Sequence, residues 1–548
     1  MRKTSPSARA RILLLNFTAA LAVSRPVGLL AAEPAYVGSR ACAACHHAIY
    51  ESYARTAMGR SMQRATEMNL PEPTELSHPR IERRFRLFRD GGNLYQREYA
   101  LRGSEKIFDD SHKLEYAIGS GVNGYSFVVR RGNYLFRAPL SYYSKTQKWD
   151  LSPGYENADL GFSRAIASGC LACHSGRSRP VPDREGLYCD PAIVELSIGC
   201  ENCHGPGSRH VGSGDPRAIV NPAKLAPRLA EEICMMCHQG GDARVLQPGK
   251  SLSDFRPGMW SNEVLAIFKT SRGEGDLLEH HTAMRSSLCF RSSGGRLKCL
   301  TCHNPHSTLA KAESAAYFRP KCFSCHTDRS CGVPMAERTS RAANDCIACH
   351  MPKRNVTLVA HSALTDHRIM SRPRPAIAAQ VADLIHVNAP PEGGTLPAVT
   401  LLRAYGQLAA KRPDFASKYL AALVAASRTN PNDPLVLAAL GKKAMADLDA
   451  KHDIRARKYL EQSIVQGSTA PSTYHDLAEV LTRSGHLQQA IGVLEKGLDL
   501  APYARELYRA LAQHYGAVGR RDQMRKTLER YLELFPQDDA ARKLLRSP

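Results

Sequence analysis

Seven times the chain reads Cys-x-x-Cys-His, and this recurrence constrains its 548 residues more than any other feature. The copies are CAACH (42–46), CLACH (170–174), CENCH (200–204), CMMCH (234–238), CLTCH (299–303), CFSCH (322–326) and CIACH (346–350). They use fourteen of the seventeen cysteines, and no Cys-x-x-Cys pair lacks its histidine. Zinc ribbons also pair cysteines, but they have no need of a histidine after every pair. Covalent attachment of c-type haem needs this spacing: each thiol adds to one vinyl group, and the histidine binds iron from one face. The motifs therefore predict seven covalently attached haem c groups. Cys42, Cys45, Cys170, Cys173, Cys200, Cys203, Cys234, Cys237, Cys299, Cys302, Cys322, Cys325, Cys346 and Cys349 are the expected anchors. His46, His174, His204, His238, His303, His326 and His350 are the expected proximal iron ligands.

Composition agrees with that reading. Hydrophobic residues make up 43%, yet aromatics are only 7% and tryptophans two, so haem would supply apolar bulk. The formal charge is +22. Five of those charges lie in residues 1–32, leaving about +17, and propionates on seven haems would lower this to roughly +10. No basic run is interleaved with stacking aromatics, which argues against nucleic-acid binding. The N-terminus has a basic stretch (MRKTSPSARAR), an apolar core (ILLLNFTAALAV, 12–23) and small residues at Ala31 and Ala32, the pattern of an export signal. Twelve apolar residues are short for a membrane span. The expectation is an exported protein, periplasmic first, with extracellular or anchored forms as alternatives and no span in the mature chain.

His306 follows the fifth motif in CLTCHNPH (299–306). It lies one turn beyond His303, too close to reach the far side of the same ring, and so is expected to ligate a neighbouring iron. The stretches YVGSRACAACH (36–46), GCENCHGPGSRHV (199–211), VNPAKLAP (220–227), EEICMMCH (231–238), CLTCHNPHS (299–307), CIACHMPKRNV (346–356) and TDHRI (365–369) go beyond the pentapeptides. On them the chain resembles exported multihaem cytochromes related to the tetrahaem electron acceptor of hydroxylamine oxidoreductase. It resembles in particular a bacterial group with C-terminal tetratricopeptide repeats. That resemblance implies clustered haems, many with histidine on both faces, and distal ligation by His210, His306, His361 and His367. One of His280 and His281 is a further candidate, with His281 taken as the ligand. Relatives often carry histidines in the helix after the first motif. Here it reads ESYARTAMGRSM (51–62), where Met58 and Met62 are the alternative ligands and a buried face is the plainer reading. Ten histidines before residue 390 lie outside the motifs, so counting does not settle whether every iron is closed. Cys189, Cys289 and Cys331 are left over, as buried thiols or with two of them paired.

The expected architecture is mainly α. A haem-packed cytochrome domain (33–375) follows the signal peptide (1–32) and carries a small antiparallel β insertion at about 81–150. A linker (376–397) leads to an α-solenoid of tetratricopeptide repeats (398–548). The insertion is read from aromatic and β-branched alternation around the turns DGGN and RGN. The repeats are read from a 34-residue period: Tyr474, Leu477, Ala478, Leu481, Gly485, Ala490, Leu494 and Pro502 recur as Tyr508, Leu511, Ala512, Tyr515, Gly519, Met524, Leu528 and Pro536. An earlier copy runs through Leu437, Leu440, Gly441, Ala456 and Leu460 with three extra residues near its turn. Such a solenoid docks a protein ligand or braces the haem domain. The functional expectation is an electron carrier between redox partner proteins. The alternative is an oxidoreductase with one open haem acting on a small nitrogen or sulfur compound.

Overall fold

Alternation of buried and exposed residues builds the largest element, a nine-stranded antiparallel sheet. The computed structural model describes residues 34–72, 75–78, 81–156, 159–272, 279–353, 365–371, 379–446 and 450–546; the expected leader lies outside them. The strands are β1 (Met62–Arg64), β2 (Leu76–His78), β3 (Arg83–Asp90), β4 (Asn93–Arg102), β5 (Glu105–Ile118), β6 (Gly124–Arg131), β7 (Tyr134–Tyr143), β8 (Lys148–Leu151) and β9 (Arg164–Ala165). From β2 to β8 they pair in chain order as successive hairpins, with β1 added on β5 and β9 on β7. In β4 every second residue is buried (Leu94, Gln96, Glu98, Ala100), as a half-buried strand requires. The sheet is wider than the expected 81–150, because β1 and β9 are too short to show alternation.

The stretch read as a linker contains a strand. Ala379–His386 pairs antiparallel with Leu265–Arg272, which also pairs with Ala243–Leu246. This second sheet seats the first helix of the C-terminal region. Ala243, Val245, Ala266 and Phe268 share a core with Val399, Leu402, Tyr405 and Leu408.

The C-terminal region is a helical solenoid. Helix pairs Ala398–Ala409 with Ala416–Thr429, Pro434–Met445 with Ala450–Val465, Pro471–Arg483 with Leu487–Leu500, and Arg505–Ala517 with Arg521–Leu534 stack in order, and Asp539–Arg546 closes the end. The repeating residues are the buried ones: Tyr474, Leu477, Ala478, Leu481, Ala490 and Leu494, then Tyr508, Leu511, Ala512, Tyr515 and Leu528. Gly485 and Gly519 take φ of 79° and 72° at the turn inside each pair, a backbone that favours glycine.

Arginines of the sheet region tie the solenoid down. A helix leaves its last carbonyls unpaired and partly negative, so a cation there is favourable. Arg184 donates to Leu500 O, the end of one repeat helix, and Arg131 donates to Leu534 O at 3.1 Å, the end of the next. In return Arg505 donates to Leu160 O at 3.1 Å and Ser163 Oγ at 2.6 Å. Tyr503 wedges between Tyr134 and Phe136, its ring centre 4.9 and 4.7 Å from theirs. Among the described residues no helix is long and apolar enough to cross a membrane.

Removing both caps should cost about 1 kcal/mol each. Arg131→Ala/Arg184→Ala is therefore expected to lower the melting temperature and separate solenoid from sheet unfolding in calorimetry. A single transition at the wild-type temperature would show that these contacts do not join the parts. A second expectation concerns Glu98, fully buried beside Asp159, which pairs with Arg83 at 2.7 Å. Burial, then Asp159, raises the Glu98 pKa well above the ordinary range. The folded state then holds the proton more tightly than the unfolded one. Stability is greatest below the ordinary carboxylate range and declines as pH rises through it toward the raised folded value. Glu98→Gln should be near neutral at pH 4 and stabilise by about 1 kcal/mol at pH 8; equal effects at both pH values would contradict this.

Candidate functional site

Each motif forms one helical turn. The histidine N–H donates to the carbonyl of the first cysteine: His46 to Cys42 at 2.9 Å, His303 to Cys299 at 3.0 Å and His326 to Cys322 at 2.9 Å. Residues i, i+3 and i+4 share a helix face, so both thiols and the imidazole project to one side. All seventeen cysteines are free, and Cys189, Cys289 and Cys331 form no disulfide.

The turns meet at their thiols. Cys42 lies against Cys200, Cys173 against Cys237, Cys234 against Cys299, and Cys322 against Cys346. Motif one thus stands beside three, two beside four, four beside five, and six beside seven. Burial, then Cys200, pushes the Cys42 thiol up to about 12. Burial, then Cys346, pushes Cys322 up to about 12. Cys173 moves the other way, to about 7, because Cys237 donates to it.

Sequence reasoning missed the residue that joins motifs one and three. Glu201, an x position of CENCH, is buried. It accepts from the backbone N–H of Val37 (2.9 Å), Gly38 (2.7 Å) and Gly207 (2.7 Å). One carboxylate so binds the YVGS stretch and the glycine loop after the motif. The only signal was an acid between two glycine-rich stretches.

Histidines distant in sequence come together around the motifs. His46 and His210 have ring centres 6.2 Å apart and planes 21° apart. His204 and His306 are 6.0 Å and 11° apart. His303 and His367 are 6.2 Å and 34° apart. His238 meets His280 at 5.3 Å and 14°, and His280 touches His367 at 4.3 Å. His281, the member of the pair named from sequence, lies elsewhere. It is buried with Nε2 3.1 Å from Glu231 and 2.8 Å from Arg228, so that nitrogen is already engaged. His361 lies outside the described residues. His326 and His47 are exposed. Met62 packs in a core with Leu171 and Val128, beside Cys170, and Met58 sits in a turn.

The ring nitrogens are prepared to hold a metal. A carbonyl can only accept, so an Nδ1 within reach of one carries the proton and leaves Nε2 its lone pair. His204 Nδ1 donates to Val220 O (2.8 Å), His350 to Met370 O (2.7 Å), His210 to Asp215 O (2.9 Å) and His367 to Thr365 O (2.9 Å). Such a bond is the usual companion of a metal-binding histidine. Burial foremost lowers the pKa of His238, His303 and His306, which favours the neutral, ligating form.

The region of motifs five to seven has little protein core of its own. None of the hydrophobic clusters includes a described residue between 280 and 371. From Leu288 to Ala343, a stretch holding motifs five and six, no described residue is buried.

No protein-family model matches the chain, and no curated protein matches it. Among solved structures it is similar to the outer cell wall cytochrome OcwA, with 15% identity over 82% of this chain and 99% of that one, at a TM-score of 0.38. It is also similar to MamA, with 21% identity over 26% of this chain and 80% of that one, TM-score 0.23. A third is the Arabidopsis OM64 TPR domain, with 19% identity over 21% and 93%, TM-score 0.19. At these scores none of them establishes a fold or a function for this chain.

Chain without buried residues opens readily to proteases. Protein made without haem attachment should be cut within 288–343 by trypsin, while the nine-stranded sheet and the solenoid survive as fragments. Equal resistance of that stretch in protein with and without attachment would mean that it holds itself together.

Proposed function

We propose that the chain is an exported seven-haem c-type cytochrome that carries electrons between redox proteins, with the solenoid docking a protein partner. The observation that carries this reading is the spacing of the histidine pairs. A metal held between two imidazoles has two bonds of about 2 Å, and each ring centre lies roughly 1 Å beyond its nitrogen, about 6 Å in all. His46–His210, His204–His306 and His303–His367 stand at 6.2, 6.0 and 6.2 Å.

The residues fit the group in other ways too. Paired thiols beside an imidazole, repeated seven times, are the donor set for covalent haem. The stretch around motifs five and six buries no side chain, which suits a segment packed on a large apolar ring. Haem, when bound, supplies a one-electron iron couple. The paired cysteines would hold each ring, and the motif histidines would ligate the iron. On the other side His210 would serve motif one, His306 motif three, His280 motif four and His367 motif five, with His361 a further distal ligand by resemblance. Here His280 replaces His281. The backbone carbonyls on Nδ1 fix ring orientation and strengthen the ligand. Two imidazoles on one iron keep its geometry nearly constant between oxidation states, which suits electron transfer. The thiol contacts give a path through neighbouring motifs: one to three, two to four, four to five, and six to seven. His306 follows motif five and serves motif three, joining those two directly.

The resemblance to exported multihaem cytochromes supports the same reading, with the periplasm as the compartment it favours. The test is electron paramagnetic resonance of the oxidised protein, with and without hydroxylamine or nitrite. Low-spin signals indifferent to either compound are expected, and His306→Ala should turn one haem high-spin with seven still attached. A high-spin signal in the wild type that shifts with added ligand would instead support an enzyme with an open iron.

A further inference from the structure

His306 differs from its partner His204, and from His210 and His367, in how its ring is held. His204, His210 and His367 each have Nδ1 tied to a backbone carbonyl. Among the described residues no hydrogen bond reaches the His306 ring; only its backbone N–H is held, by Asn304 Oδ1 at 3.0 Å. A ring free to turn about its χ angles would not keep its plane within 11° of His204.

One side chain supplies the missing restraint. Tyr53, in the helix His47–Ala54, presents its ring to His306 edge-on, with centres 6.4 Å apart and planes at 69°. An edge-to-face contact of this kind is directional. Tyr53 is itself anchored, because its hydroxyl donates to Ile198 O at 2.8 Å, just before motif three. Burial foremost, then the Cys203 and Cys200 thiols, raises the Tyr53 pKa, so the hydroxyl keeps its proton and this bond across the physiological range. Tyr53 therefore belongs to the helix after motif one, bonds to the loop just before motif three, and meets the histidine that follows motif five.

We propose that Tyr53 is the positioning residue for His306, setting the plane of that imidazole relative to His204 where a backbone tether is lacking. This rests on the reading of His204 and His306 as the two axial ligands of one haem. The angle between two axial imidazole planes sets the g values of a low-spin ferric haem, so the role has a spectroscopic signature that general stability does not move.

The experiment uses the full-length, haem-loaded protein, with haem counted by pyridine haemochrome. Tyr53→Leu removes the aromatic edge and the hydroxyl, while Tyr53→Phe keeps the edge. Tyr53→Leu is expected to shift one low-spin component and the midpoint potential of one haem, with seven haems still attached. Tyr53→Phe is expected to stay close to wild type. Should Tyr53→Leu not mature, Tyr53→Met fills the same space with a flexible chain and is read in the same way. Low-spin components that all coincide with wild type in the leucine or methionine variant would overturn the proposal. A wild-type protein lacking low-spin signals would instead defeat the underlying haem assignment.

Discussion

The helical turn of Cys-x-x-Cys-His is the constraint on which the rest of the structure depends. One backbone hydrogen bond, from histidine to first cysteine, brings two thiols and an imidazole to one side of a short helix. Such turns are too short to bury their own thiols and imidazoles, most of which are half-exposed or exposed. They lean on one another through their thiols and through histidines brought from elsewhere in the chain. Between Leu288 and Ala343, around motifs five and six, the described chain accordingly builds no core of its own, whereas the chain between motifs one and two builds the large sheet.

Two small devices do much of this delivery. Glu201 gathers three backbone N–H groups and so binds the start of the chain to the loop carrying His210. Residues 365–371 reach motif seven by reciprocal bonds, Met370 N–H to His350 O and His350 Nδ1 to Met370 O. From there His367 is presented to His303 and His280. Each device links parts of the chain far apart in sequence with groups that have no periodic signature.

The sheet and solenoid complete the molecule around this region. Sheet arginines occupy the negative ends of solenoid helices, and the first repeat shares a core with the second sheet. The solenoid is thus held at its first and last repeats by the N-terminal region.

How much was legible follows from where each signal resides. The seven Cys-x-x-Cys-His turns and the 34-residue repeat were readable because their information is local, in spacing and in small or apolar residues at fixed offsets. The sheet was found from alternation, but its two- and three-residue strands and the strand at Ala379–His386 were not, because so short or so poorly alternating a run carries no pattern. His306 was singled out as serving a neighbouring motif, yet its partner His204 could not be named. The choice between His280 and His281 was likewise invisible: adjacent residues have the same spacing to everything. Tertiary packing separates the two, giving His281 a buried carboxylate and an arginine and turning His280 toward His238. The sequence by itself determined how many Cys-x-x-Cys-His turns there are and what each one presents. Only the tertiary structure decided which turns are neighbours and which histidine faces which, because those contacts join residues whose separation along the chain follows no period.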